Sequence, residues 1–346
     1  MVKKLSIIGI VAALSLCFTS SALAQVQTHG FVLVRQMLAN DEYTSRIERY
    51  GIQFKEVIND EFDWLTELYI HPQIAAAAGR LYMESAFLNW NLSKRVPWDF
   101  RIRIGKGRNY CYGQTPDYSR RRTSDYPLYS EAFTQMRVTG IQSFSDFGPW
   151  QIAVAIINPY TFASRQLPDF NIGDAFNIPV CDRDTDSSTL DRIAISGRLG
   201  YKNDLINVGA NVYMSDPKEG TQGAKSRFGF DGEIKTEGGL LGQVQATMAT
   251  TQMNIGGTIE DLDHFGAEVL AGYEMDKIGF YARYGLMSYD DKLQDLNSTM
   301  LSAVYKIHPR IHLRLEALVN GETTDADKNW NELDNDVLFF ETLFAW

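Results

Sequence analysis

The side chains that most often carry catalysis are scarce in this sequence. Among 346 residues there are five histidines and three cysteines. His29, His71, His264 and His308 are scattered, and His312 stands alone on the polar side of an alternating run. No compact grouping of serine with histidine is present, so a nucleophile activated by a neighbouring base has no footing, and the chain reads as a non-enzyme. Asp182-Arg183-Asp184-Thr185-Asp186 has oxygen-bearing side chains at alternate positions but lacks the glycine and the distant glutamate that complete a Ca²⁺ loop. It reads as an exposed acidic loop, and no metal or cofactor is expected. Basic residues are in deficit, with 33 Lys and Arg against 43 Asp and Glu and a formal charge of −10. Such a chain is not a general binder of nucleic acid or of anionic surfaces.

Long apolar runs are missing too. Beyond residue 24 nothing approaches the ~18 consecutive apolar residues of a helical membrane span. There is no Pro-, Gly- or Ser-rich linker, no low-complexity tract and no long-period repeat, so one continuous domain is expected. What precedes it reads as a secretory signal peptide over residues 1–24, with Lys3 and Lys4 as the basic region, an apolar stretch from Ile7 to Phe18, and Ala22-Leu23-Ala24 as the cleavage motif. A lipoprotein signal with Cys17 as the lipidated residue is the rival, but no small residue precedes that cysteine. Cleavage leaves residues 25–346 and, with Lys3 and Lys4 gone, moves the formal charge from −10 to −12. Export permits disulfides, and the two remaining cysteines, Cys111 and Cys181, are expected to pair.

What is present is alternation. About sixteen segments alternate apolar and polar side chains, separated by turn residues. The fifth covers 97–106, the sixth 132–145 and the last 336–346. Ile206, Val208, Ala210, Val212 and Met214 share one face of their segment, with Asn207, Gly209, Asn211 and Ser215 on the other. The polar faces carry charges and glycines, with little bulk for a second core. The apolar faces are therefore expected to meet lipid and the polar faces to line a lumen, as in an up-and-down antiparallel transmembrane β-barrel. Connections sort by side. Asn59-Asp60, Asn203-Asp204, Glu237-Gly238 and Asp276-Lys277 are tight turns, while 107–131, 160–189, 216–224, 253–262, 289–297 and 321–335 are long and polar. Trp150, Tyr201, Tyr213, Tyr273 and Tyr289, near segment ends, are expected in interfacial girdles. Segments 62–75 and 80–92 alternate poorly, with apolar residues on both faces. That pattern points to a wall packed on another subunit, or to a different register.

The ending Asp336-Val337-Leu338-Phe339-Phe340-Glu341-Thr342-Leu343-Phe344-Ala345-Trp346 resembles the C-terminal strand of bacterial outer-membrane barrels. The 25-residue connection after the fifth segment resembles, in place and length, the constriction loop of sixteen-stranded bacterial porins. Phe100-Arg101-Ile102-Arg103-Ile104, followed by Gly105-Lys106-Gly107 and Tyr110-Cys111-Tyr112-Gly113, loosely resembles the phosphate-selective porin O/P group, with Cys111 where those relatives often have proline. The resemblance implies a homotrimer in the outer membrane of a Gram-negative-type bacterium, surrounded by outer-membrane lipid, through which small hydrophilic solutes and ions diffuse passively.

Arg49, Arg101, Arg103 and Arg137 oppose apolar faces and are expected to point inward, joined by Arg108, Arg120, Arg121 and Arg122 from the loop. These residues lead to an expected anion preference, by focusing the field at the narrowest point. Asp231, Glu233, Glu268, Glu274, Glu316 and Glu341 make the later wall more acidic, which predicts a transverse field. A channel dedicated to phosphate or dicarboxylate, or a closed-lumen barrel used as a scaffold, are the other readings.

Overall fold

The computed structural model describes residues 26–39, 42–71, 80–109, 111, 123, 128–129, 132–133, 137–167, 176–184, 193–217, 220–328 and 335–346, with backbone alone at 42, 71, 80, 160–167 and 176–184. The expected signal peptide and Arg120, Arg121 and Arg122 lie outside the described residues. In chain order the strands are β1 (Gln27–Ala39), β2 (Glu42–Val57), β3 (Phe62–His71), β4 (Arg80–Asn91), β5 (Asp99–Arg108), β6 (Arg137–Phe147), β7 (Trp150–Ile157), β8 (Tyr160–Leu167) and β9 (Phe176–Asp184). They continue as β10 (Ala194–Lys202), β11 (Ile206–Met214), β12 (Gly223–Lys235), β13 (Leu240–Ile255), β14 (Thr258–Glu274), β15 (Ile278–Ser288), β16 (Leu296–His308), β17 (Ile311–Glu322) and β18 (Val337–Ala345). Sixteen of these close into one antiparallel barrel in which β7 pairs with β10 and β18 returns to β1. The seam runs in register from Phe31↔Ala345 to Leu38↔Leu338, and Gly30 and Trp346 exchange backbone hydrogen bonds of 3.1 and 2.9 Å. Closure leaves no sheet edge, which is the condition for placing strands in hydrocarbon.

Alternation now has a direction. In β15, Phe280 and Tyr284 are exposed while Tyr281 and Arg283 are buried; in β12, Phe228 and Phe230 are exposed while Arg227 and Asp231 are buried. Leu338, Phe340 and Phe344 of β18 face outward, and Glu341 is fully enclosed. The molecule is apolar outside and charged inside, the inverse of a water-soluble barrel, because lipid accepts the apolar belt and the lumen solvates or pairs the charges.

Four expectations change. The poor alternation of the third and fourth segments is a β-bulge: Glu67 pairs with Ser85 but Leu68 with Met83, so Glu84 is an extra residue that flips the facing on either side of it. The span 253–262 is not a loop but a continued hairpin, turned by Gly256 and Gly257 at φ of 61° and 95°, values glycine adopts without strain. The connection 160–189 contains β8 and β9, which pair with each other in a separate sheet and not with the barrel. Of the expected girdle, Trp150 and Tyr273 are exposed and Tyr201 packs edge-on against Trp150, but Tyr213 and Tyr289 are buried in an inner apolar cluster.

Candidate functional site

The connection between β5 and β6 leaves the wall at Asn109 and rejoins it at Arg137. Just before and after it, Gly105 faces Gly140 across the two strands. A Cβ at Gly105, where φ is 126°, would lie 2.4 Å from the Ala86 carbonyl oxygen, and one at Gly140 would lie 2.2 Å from that of Ile156. Glycine at both places lets the neighbouring strands close in at the root of the loop. The sixth strand starts at Arg137 and not near 132, because Ala132 and Phe133 belong to the loop and are buried inside the barrel.

The described residues of the loop lie against the inner side of β10 to β15. The Asn109 side-chain amide donates to the Ser196 hydroxyl at 3.2 Å, and the Tyr129 and Thr247 hydroxyls share a hydrogen bond of 2.7 Å. Arg283 donates to the Thr123 hydroxyl at 2.6 Å, and Arg227 donates to the Phe133 carbonyl. The Phe133 ring stacks on His264 at 5.4 Å and 7°, with the Arg227 guanidinium 5.5 Å from its centroid. Gly266 makes that seat possible, since a Cβ there would stand 2.5 Å from the Phe133 ring. Leu128, Tyr129, Ala132 and Phe133 join Tyr213, Ala249, Leu262, Met287 and Tyr289 in one buried apolar cluster. An apolar core of this size fixes the loop far more firmly than its few hydrogen bonds.

The opposite inner wall is charged. Arg46, Arg35, Glu341 and Arg314 occupy one row across β2, β1, β18 and β17. Arg35 donates two hydrogen bonds to the same Glu341 oxygen at 3.1 and 3.3 Å, and Arg314 holds the other oxygen. Glu48 receives Arg46 at 2.8 Å and lies 4.0 Å from Arg35. A second bulge explains its position: Leu33 pairs with Arg49 but Val34 with Ile47, so Glu48 is the extra residue and turns inward beside Arg49. Arg49 in turn lies over the Tyr69 ring at 5.6 Å. Glu316 shares the inner face of β17 with Arg314 and accepts from Ser302 at 2.7 Å, so this wall sets four guanidinium groups against three carboxylates.

Arg49, Arg103, Arg108 and Arg137 are buried on the inner side of their strands. Arg103 accepts Phe87 as a platform at 3.8 Å and donates to Asn89 at 3.0 Å. Arg137 pairs with the bulge residue Glu84, and faces Arg108 across the root of the loop. Arg101 is half exposed near the turn end, 3.7 Å from Asp99. Arg35, Arg46 and Arg314 were not anticipated, whereas Arg227 and Arg283 fall on the polar faces that alternation assigns them. Arg35 shares its face with Phe31, Leu33 and Met37, so its strand looks apolar on both sides. The acidic residues are not segregated on one wall: Asp231 is bound by Arg198 at 2.7 Å, and Glu341 sits between two arginines, so the simple transverse field gives way to paired clusters.

The expected disulfide is not formed. Cys111 is a buried free thiol, and the side chain of Cys181 is outside the described residues. The loop carries Cys111 inward to Ser196 of β10, and burial pushes its pKa up to about 12.

No family model matches the chain, and no curated protein matches it in sequence. Solved structures do match. The outer membrane channel DcaP of Acinetobacter baumannii is 14% identical with a TM-score of 0.63, over 95% of this chain and 99% of that one. The anion-selective porin from Comamonas acidovorans is 13% identical with a TM-score of 0.58, over 93% and 99%. OmpT of Vibrio cholerae, as a loop L8 deletion mutant, is 16% identical with a TM-score of 0.59, over 93% and 99%. At these identities the likeness is one of fold, the barrel of bacterial outer-membrane porins and channels. That fold and the apolar outer belt make this an outer-membrane protein of a Gram-negative-type bacterium.

Proposed function

We propose that this barrel is a non-enzymatic porin for passive diffusion of small hydrophilic solutes, with a preference for anions. The observation that carries the reading is the division of the interior: the described residues of the loop pack on β10–β15, and the inner wall from β17 to β2 bears four arginines against three glutamates. Fixed guanidinium groups beside a narrowed aqueous path raise the local anion concentration, and charges farther than about 10 Å are screened at 0.1 M salt, so the acidic chain as a whole matters little. We assign Arg120, Arg121 and Arg122 to the same path. The Comamonas porin is itself anion-selective, which agrees with the reading. We assign homotrimer contacts to the outer wall of β2–β4, where Phe62 stacks on Trp90 at 5.7 Å.

In planar bilayers the protein should give discrete conductance steps and a zero-current potential of anion-selective sign. Arg46→Ala with Arg49→Ala should shift that potential toward cations, and the shift should shrink in high salt. Cation preference in the unaltered protein defeats the anion reading. Block by phosphate or a dicarboxylate at low concentration makes it a dedicated channel, and a lack of steps makes it a scaffold.

A further inference from the structure

On the lipid-facing side, away from the lumen, β14 to β18 carry a depression of about 650 Å³. Its floor is made by Ala271, Ala282, Ala303 and Ala317, and Phe280 and Leu315 stand up beside it. The floor crosses the sheet in register, Ala271↔Ala282↔Leu301↔Ala317 in one row and Phe280↔Ala303↔Leu315 in the next. Small side chains among large ones sink a trough into a surface that otherwise presents aromatic and branched residues.

The trough lies beneath an unusual rim. The β14–β15 and β16–β17 turns are adjacent, the Lys306 amide donating to the Lys277 carbonyl at 2.8 Å. Between Lys306 and His312 the chain has Lys306, His308 and Arg310 and no acid, and Asp276 is the single carboxylate of the two turns. Elsewhere at this end most cations are matched, Lys94 with Asp60, Arg95 with Glu61 and Lys235 with Glu274, and the lone Lys202 of the β10–β11 turn has no second cation beside it in its turn. Lys277 and Arg310 make no ion pair with a described residue. Tyr305, exposed and outward, stands between this rim and the trough. Phe280 and Ala282 follow Lys277 by three and five residues, roughly 10–17 Å along a strand. That is the depth of the upper half of an acyl chain whose phosphate sits at the rim.

We propose that this trough binds an anionic phospholipid of the leaflet at the tight-turn end, its phosphate held by Lys277 and Arg310 and one acyl chain laid over the alanine floor. Charge complementarity selects the occupant: an excess of unmatched cations on an acidic protein, placed at headgroup level above an apolar trough, fits an anionic lipid better than a zwitterionic one. The site is independent of the lumen and of ion selectivity.

The test is native mass spectrometry of the full protein in detergent with equal amounts of phosphatidylglycerol and phosphatidylethanolamine. The unaltered protein should retain phosphatidylglycerol preferentially. Lys277→Ala with Arg310→Ala should reduce that retention roughly tenfold. Ala282→Phe should displace both lipids by filling the trough, with Ala303→Val as a smaller insertion if the first fails to assemble. Lys94→Ala with Arg95→Ala should change nothing. Equal retention of the two lipids, or retention unaltered by the rim and trough variants, overturns the proposal. So does an Ala282→Phe protein that loses subunits but keeps its lipid, since the trough is then a contact between copies.

Discussion

The two halves of the inner wall solve different problems with the same alternation. From β10 to β15 the inward positions include Ala249, Leu262, Gly266 and Met287, and they bury a loop. From β17 through β1 to β2 they carry Arg314, Glu316, Glu341, Arg35, Arg46, Glu48 and Arg49, most of them bound to one another. The first half behaves like the core of a soluble protein turned toward the lumen. The second is a charge lattice whose members hold position by pairing. In the proposed channel one half would place the obstruction and the other supply the field beside it, so selectivity would depend on both.

The comparison breaks most forcefully at the loop. Phe133→Ala removes a ring that touches His264, Tyr129 and Arg227, and loss of a buried aromatic costs roughly 3–5 kcal/mol. The expected outcome is a barrel that still closes but a loop that leaves its seat, read as larger and noisier single-channel steps. Gly266→Val should act the same way from the wall, since even its Cβ meets the Phe133 ring. Unchanged conductance in both variants would mean that the loop does not set the narrowest point.

On the charged half the corresponding lesion is Glu341→Gln. It leaves Arg35 and Arg314 buried with a neutral partner, and breaking a buried pair in this way costs about 3 kcal/mol, the lower end of the usual range because the amide keeps a hydrogen bond. The temperature at which the barrel unfolds in SDS should fall, while the conductance steps stay of similar size and become more anion-selective. A loss of stability without a change in selectivity would make the cluster a structural brace alone.

Much of this division was legible before any coordinates. Strand number, the facing of Phe228 against Arg227 and of Phe280 against Arg283, and the place of the long loop after the fifth strand follow from period and turn chemistry, because lipid enforces alternation at every residue of an outer face. Three things were hidden, each for a physical reason. The bulges at Glu48 and Glu84 add one residue and reverse the facing, so a strict period of two misreads β2 to β4. Tyr213 and Tyr289 are aromatic residues at strand ends, as interface anchors are, and only the loop reveals that they face inward. Arg35 lies in a strand apolar on both sides, because Phe31, Leu33 and Met37 join inner clusters of their own.

The smallest expected effect lies at the tight turns, where charges also pair but in water. Lys94 donates to Asp60 and Arg95 to Glu61, and those hydrogen bonds hold both carboxyl pKa values below their usual range. A carboxyl depressed in the folded state adds stability above its unfolded pKa, near 4 for these groups, and that contribution disappears as pH falls through the lower folded value. Asp60 is exposed and Glu61 half-buried at the rim of the turn, so solvent and salt screen most of the gain. Lys94→Ala with Arg95→Ala should therefore lower the unfolding temperature only slightly at pH 7. The gap from the unaltered protein should close in ~1 M salt, where the screening length is about 3 Å, and should close again below about pH 4. The Glu341→Gln difference should survive the same salt, because its partners are enclosed by the wall. If salt erased both differences equally, the inner cluster would be hydrated like the turns, and the distinction between a buried charge lattice and a surface pair would fail.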